Sequence, residues 1–206
     1  PINALVNDGP GSDIDYQSST TFLQANWGGF TSSNPITSYS WSVDKLSGGT
    51  LLPWTGVGLN LSASAQLTLT PGETYIVKVK AFDTSGSSEK ESDGVMVDNE
   101  APPPPSLVSP ADGGSVSGSP GVTLDWTEVA DPQGSPVTYR LQLSGDDTFA
   151  SPLLDVDLDT HQLATGSLPS GTYYWRVTVQ DLAGNTQGPI SGASFVVDTA
   201  APVGAL

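Results

Sequence analysis

The chain has 206 residues, no cysteine, and 22 acidic against 6 basic side chains, a formal charge of -16. Without cysteine there is no disulfide framework, thiol nucleophile or thiolate metal centre, and the negative charge repels phosphate backbones and anionic lipid heads, so nucleic acid is not expected as a partner. At 36% hydrophobic, with 23 Gly and 17 Pro, the composition suits two compact, turn-rich domains. It contains no run of 18 apolar residues, which argues against membrane insertion, and any signal or anchor is expected outside this stretch.

In chain order, the first informative segment is Asp8-Gly9-Pro10-Gly11-Ser12-Asp13-Ile14-Asp15. Its turn residues let Asp8, Asp13 and Asp15 fold around a hard cation, although the spacing is not that of an EF-hand loop. Period-two alternation follows at Thr20 to Trp27, Ser38 to Val43 and Tyr75 to Ala81, then again at Val122 to Trp126 and Val137 to Leu143. These runs are filled with valine, threonine and aromatics, no 12-residue window shows a persuasive 3.6 period, and Gly or Pro interrupts most candidate helices, so half-buried strands are predicted. The expected inward faces are Leu23, Ala25, Trp27, Tyr39, Trp41, Val43, Tyr75, Val77 and Val79 in the first half. In the second they are Leu124, Trp126, Tyr139, Leu141, Leu143, Tyr173, Trp175, Val177 and Val179. Each such burial contributes roughly 1.5–3 kcal/mol, enough in sum for a core in each half.

The stretch Leu69 to Asp83, with Pro71-Gly72 before Tyr75, returns as Leu168 to Asp181, and each copy runs on to a closing Val-Asp-x-x-Ala-Pro. Repetition at about 100 residues means units of domain size, each with about seven short strands, the pattern of an antiparallel sandwich. The fold class is therefore all-β: two tandem antiparallel β-sandwich domains. We place a first domain at 1–100, a proline linker at 101–105, a second domain at 106–200, and the start of a further linker at 201–206. The consecutive prolines Pro102 to Pro105 favour a stiff, extended connection.

Leu69, Pro71, Gly72, Tyr75, Val77, Val79 and Ala81, with Trp27 on an earlier strand, resemble the fibronectin type III pattern. Trp126, Leu168, Gly171, Tyr173, Trp175, Val177, Ala183-Gly184-Asn185 and Phe195 to Asp198 resemble the variant common in large bacterial secreted and surface proteins. The resemblance implies an immunoglobulin-like sandwich in which the hydroxyls of Tyr75 and Tyr173 meet nearby backbone. It also implies that the first unit's last strand ends at Asp98, and that loops carrying Asp131 and Asp181 to Asn185 lie at the facing pole of the second unit. Asp98, Asn99, Glu100, Asp131, Asp181 and Asn185 are then candidate ligands for a Ca²⁺ at the joint, the alternative being a metal-free turn and proline linker. The segment Ser47 to Gly58 departs from the pattern and occurs in the first unit only.

Little here points to catalysis. The single histidine, His161, lies in a polar context and is expected to be a solvated strand-end residue, and Asp146-Asp147 lacks the cleft that a carboxylate pair requires. Asp155, Asp157 and Asp159 alternate with apolar residues, so a charged edge that discourages strand addition is expected there. Trp54, the tryptophan least explained by alternation, is a candidate ligand contact; the alternative is a plug for the edge of its own sandwich. The resulting expectation is a non-catalytic extracellular or cell-surface spacer and adhesion module. It would be monomeric and flanked by neighbouring repeats of the same chain, and its partner would be a protein or a glycan. The other reading is a carbohydrate-binding accessory module of a secreted glycan-degrading enzyme.

Overall fold

The computed structural model describes residues 3–117, 119–189 and 192–199; the expected linker start at 201–206 lies outside them. The chain divides into two compact units, Pro1–Asn99 and Glu100–Leu206. Every described element is a strand.

In the first unit the strands are β1 (Leu5–Asp8), β2 (Tyr16–Gln17), β3 (Phe22–Gly28), β4 (Ser38–Lys45), β5 (Thr50–Gly58), β6 (Ser62–Gln66), β7 (Thr74–Phe82), β8 (Ser87–Glu91) and β9 (Val95–Val97). One sheet has the order β1-β3-β6. The other has the order β2-β9-β7-β4-β5, with β8 also pairing β7. Two strand positions are split. β1 and β2 are one strand that changes sheets, pairing β3 antiparallel before the switch and β9 parallel after it. β8 and β9 are one strand interrupted at Ser92–Gly94, both halves lying along β7. Merging each pair gives the seven positions of the expected sandwich.

The second unit repeats this plan with β10 (Leu107–Ser109), β11 (Gly114–Val116), β12 (Thr123–Trp126), β13 (Val137–Ser144), β14 (Leu154–Leu158), β15 (Gln162–Ala164), β16 (Gly171–Asp181), β17 (Thr186–Gln187) and β18 (Ala193–Val197). Its sheets run β10-β12-β15 and β11-β18-β16-β13-β14, with β17 also on β16. β11 joins β18 in parallel, as β2 joins β9.

Alternation places alternate side chains on the core face, and every inward position expected from the sequence is buried. Aromatic rings meet at angles suited to their quadrupoles, with Trp126 edge-on to Tyr139 at 5.7 Å and Phe30 edge-on to Tyr39 at 5.8 Å. Both expected tyrosine hydroxyls reach backbone. Tyr75 Oη accepts the Thr70 amide at 2.8 Å, and Tyr173 Oη donates to the Pro169 carbonyl at 3.0 Å.

The departure at Ser47–Gly58 is a hairpin. Gly48 and Gly49 make its turn, and β5 pairs β4 with repeated register shifts. Its strand has nine residues, against five in the equivalent β14. The extra length carries Trp54.

Candidate functional site

The acidic loop that opens the chain is organised by the two split strands. In β1, Val6 and Asp8 share the inward face, so the strand ends by directing a carboxylate toward the sandwich interior. Asp8 is 0% exposed. The chain then leaves the first sheet and turns through Gly9–Asp15 to reach β2. Asn26 Nδ2 pins this loop by donating to the carbonyls of Gly9 at 3.1 Å and Gly11 at 2.8 Å, and the Asp8 amide closes it by donating to Asp13 Oδ1 at 2.7 Å.

The gap between β8 and β9 receives Asp8. There the Ser92 hydroxyl stands in for a backbone carbonyl by accepting the Val77 amide at 3.0 Å, while the Ser92 amide donates to the Val77 carbonyl at 2.9 Å. The Gly94 amide, left without a strand partner by the interruption, donates to Asp8 Oδ2 at 3.1 Å. The nearby Ser92 side chain also favours the charged form of the Asp8 carboxylate. Asp8 Oδ1 is fully buried and has no hydrogen-bond partner.

Asp13 and Asp93 complete the group. The two are exposed, and each offers a carboxylate oxygen, as Asp8 does, with all three within 4.8 Å of one another. Burial pushes the Asp8 carboxyl up to about 7, against the influence of Ser92 and with help from the negative charge of Asp13. Burial also raises Asp13, as does side-chain contact with the like-charged Asp93. The loop residues Asp8 and Asp13 therefore come together. Asp15 falls outside the group: its side chain is exposed, and its carbonyl accepts the Met96 amide at 2.8 Å as the chain enters β2. Asp93 is a site residue absent from the sequence-derived candidates; the signal for it was a second Asp-Gly pair, Asp93-Gly94, just before the closing strand.

The residues expected at the proline joint belong to both units: Asp98 and Asn99 to the first, Glu100, Asp131, Asp181 and Asn185 to the second. Asp98 is buried and its amide donates to the Gln17 carbonyl at 2.9 Å, whereas Asn99 and Glu100 are exposed. Within the second unit, Asp131 and Asp181 are both buried and bring carboxylate oxygens within 4.8 Å of each other. Each also organises its own turn. Asp131 Oδ1 accepts the Gln133 amide at 2.7 Å; Asp181 accepts from Asn185 N and Nδ2, both at 2.8 Å.

Trp54 does not plug the core. It is 40% exposed on the outer face of its sheet, with the Lys80 ammonium 3.9 Å from its ring centroid. It lines a polar groove of about 460 Å³ with Ser42, Asp44, Lys78 and Glu89. His161 is an exposed residue just before β15, its Nδ1 3.4 Å from Asp125 Oδ1. Asp146 caps a turn through Ser144 and Thr148, and Asp155 on edge strand β14 holds Arg140 bidentately at 2.7 Å for each bond.

Against known structures, 93% of this chain superposes on 66% of the FN1–FN3 domains of chicken contactin CNTN1, with a TM-score of 0.51 and 16% identity. Both units have the fibronectin type III fold. The chain is also similar to a two-domain fibronectin type III segment from chicken tenascin (TM-score 0.35, 16% identity, 93% of this chain and 97% of that one). A third similarity is to domains A168–A170 of titin (TM-score 0.49, 17% identity, 92% and 64%). No protein-family model and no curated protein sequence matches the chain. Among the described residues, no helix is long and apolar enough to cross a membrane.

Proposed function

We infer that the chain is a pair of non-catalytic spacer and adhesion modules from a multi-repeat bacterial surface or secreted protein, working outside the cell and binding protein or glycan. The observation that carries this reading is the pair of self-contained fibronectin type III cores, each built from its own buried aromatic and aliphatic residues. The surface is rich in acidic, hydroxylated and turn-forming residues, with Trp54 and aliphatic side chains such as Leu5, Leu46, Leu59 and Leu182 also exposed, and its net negative charge suits a connector between repeats. A groove of about 550 Å³ on the second unit is lined by Thr138, Arg140, Asp157, Thr178, Gln180 and Asp181, and Arg140 there is engaged by Asp155.

A spacer needs each unit to fold and bear load independently. Single-molecule pulling of the full chain is expected to give two discrete unfolding events, each releasing about 30 nm of contour length. One cooperative event for the whole chain, or turnover of ester or glycoside substrates, would overturn the reading.

Trp54 supports a second reading, the carbohydrate-binding accessory module. An exposed ring beside polar and charged side chains suits stacking on a sugar face, and Trp54 is 40% exposed with Lys80 over its ring. Retention on insoluble polysaccharide that drops at least tenfold in Trp54→Ala supports this reading, and no retention on any polysaccharide removes it.

A further inference from the structure

We propose that Asp8, Asp13 and Asp93 form a calcium site in the first unit, one that locks the sheet-switching first strand onto the interrupted last strand. This goes beyond the spacer reading and does not depend on it. Three observations converge on a cation.

The first is Asp8 itself. A carboxylate oxygen with no exposure and no hydrogen-bond donor lacks what such a group requires. Its other oxygen is held by the Gly94 amide, so the group cannot rotate out of the gap without orphaning that amide. The second is the arrangement of charge. The ionisable groups facing Asp8 and Asp13 are each other, Asp93 and Asp15, every one of them acidic. Like charges this close must share protons or a cation.

The third is reach. Ligands of one Ca²⁺ sit 2.3–2.6 Å from it, so two of them stand at most about 5 Å apart. The carboxylate oxygens of Asp8, Asp13 and Asp93 meet that limit. The donor set is all oxygen, as a hard cation prefers. With Asp8 as a buried floor and Asp13 and Asp93 exposed above it, water can complete the six to eight ligands of calcium. Mg²⁺ demands near-octahedral geometry and keeps more of its water, so this loop-borne set favours the larger ion.

The ion would join residues far apart in sequence. Asp8 and Asp13 flank the crossover between sheets, and Asp93 sits in the gap of the last strand. Calcium there would fasten the N-terminal strand to the strand that leads out of the unit.

The test uses the full chain stripped with chelator. Calcium titration by calorimetry, with Ca²⁺ alone as probe, should show a saturable site with Kd on the order of 10⁻⁴–10⁻³ M. Addition of 10 mM Ca²⁺ should raise the first unit's melting temperature by at least about 5 °C, with Mg²⁺ producing less than half that shift. Asp93→Asn and Asp13→Asn each remove one of three crowded charges while keeping an acceptor oxygen, so neither should lower the metal-free melt, and each should weaken calcium binding at least tenfold. Absence of saturable binding up to 10 mM, roughly tenfold above the weaker end of that range, would overturn the site and leave a shared proton in its place. So would calcium binding that both variants retain, or equal shifts with Mg²⁺.

Discussion

The Gly94 amide donates to the Asp8 carboxylate at 3.1 Å across 86 residues of sequence, joining the end of the first strand to the break in the last. The bond fills a vacancy in β-ladder pairing. Where β8 stops and β9 has not begun, Ser92 and Asp8 supply side-chain groups in place of missing backbone partners. A carboxylate used this way retains a second oxygen that the ladder does not employ, and this oxygen makes a structural splice a candidate ion ligand as well.

Asp8→Asn should therefore reverse its effect according to calcium. The amide oxygen can still accept from Gly94, and the buried charge is gone. In chelator at pH 8 the variant's first unit should melt about 4 °C or more above the parent, the equivalent of about 1 kcal/mol for a unit of this size. In 10 mM Ca²⁺ the order should invert, because only the parent gains from the ion. Paired thermal melts check this; a variant less stable than the parent under both conditions would contradict the account of Asp8 as an unrelieved buried charge.

Gly94→Ala should cost more than Gly72→Ala. Both glycines have positive φ, +108° and +78°, which an alanine adopts at a cost of about 1–2 kcal/mol. At Gly72 an added Cβ meets nothing within 4 Å. At Gly94 it would stand 2.6 Å from Ile76 Cδ1, 2.9 Å from Thr74 Cγ2 and 3.3 Å from the Tyr75 carbonyl oxygen, so both side chains must move aside and the backbone is already in tight contact. We expect about 1 kcal/mol lost at Gly72 and roughly 2–4 kcal/mol at Gly94, measured by urea denaturation.

The contrast between these glycines parallels what the sequence did and did not disclose. Period-two alternation located the strands, because it depends on neighbours a few residues away, and the resemblance to the fibronectin type III pattern implied the corners at Tyr75 and Tyr173. The splice between Asp8 and Gly94 depends on a strand changing sheets and another breaking, which no local period records. Asp13 and Asp15 are equivalent as letters in the turn-rich loop. They separate only because Asp15 has already begun to pair with β9 through its carbonyl, while Asp13 still faces the gap. Trp54 was conspicuous for lacking an alternating partner, yet its place on the outer face beside Lys80 follows from the register shifts between β4 and β5.

The two tyrosine corners should respond unequally to loss of their hydroxyls. In the first unit the oxygen accepts from the Thr70 amide, so Tyr75→Phe orphans a backbone donor. In the second the hydroxyl donates to the Pro169 carbonyl, an acceptor that tolerates a missing partner better. Expected losses are about 2–3 kcal/mol for Tyr75→Phe and about 1 kcal/mol for Tyr173→Phe. Denaturant curves that resolve the two units decide it; equal losses would mean that donor and acceptor roles do not matter at this corner.

Acid should weaken the second unit through Asp155. Its bonds to Arg140, then to Gln142, lower its carboxyl to about 2 in the folded protein, against an ordinary value of about 3.9 in an unfolded chain. A depressed carboxyl contributes stability that is fully present above the unfolded value and is lost as pH falls through the folded one. The window is therefore pH 4 to 2. Asp155 lies on the solvent side of an edge strand, so the effect is expected to be small and to shrink further in high salt. The second unit of the parent should melt above that of Asp155→Asn at pH 6, and the gap should close by pH 2. A gap that stays constant across the range would assign the difference to packing of the Asp155 side chain instead of its charge.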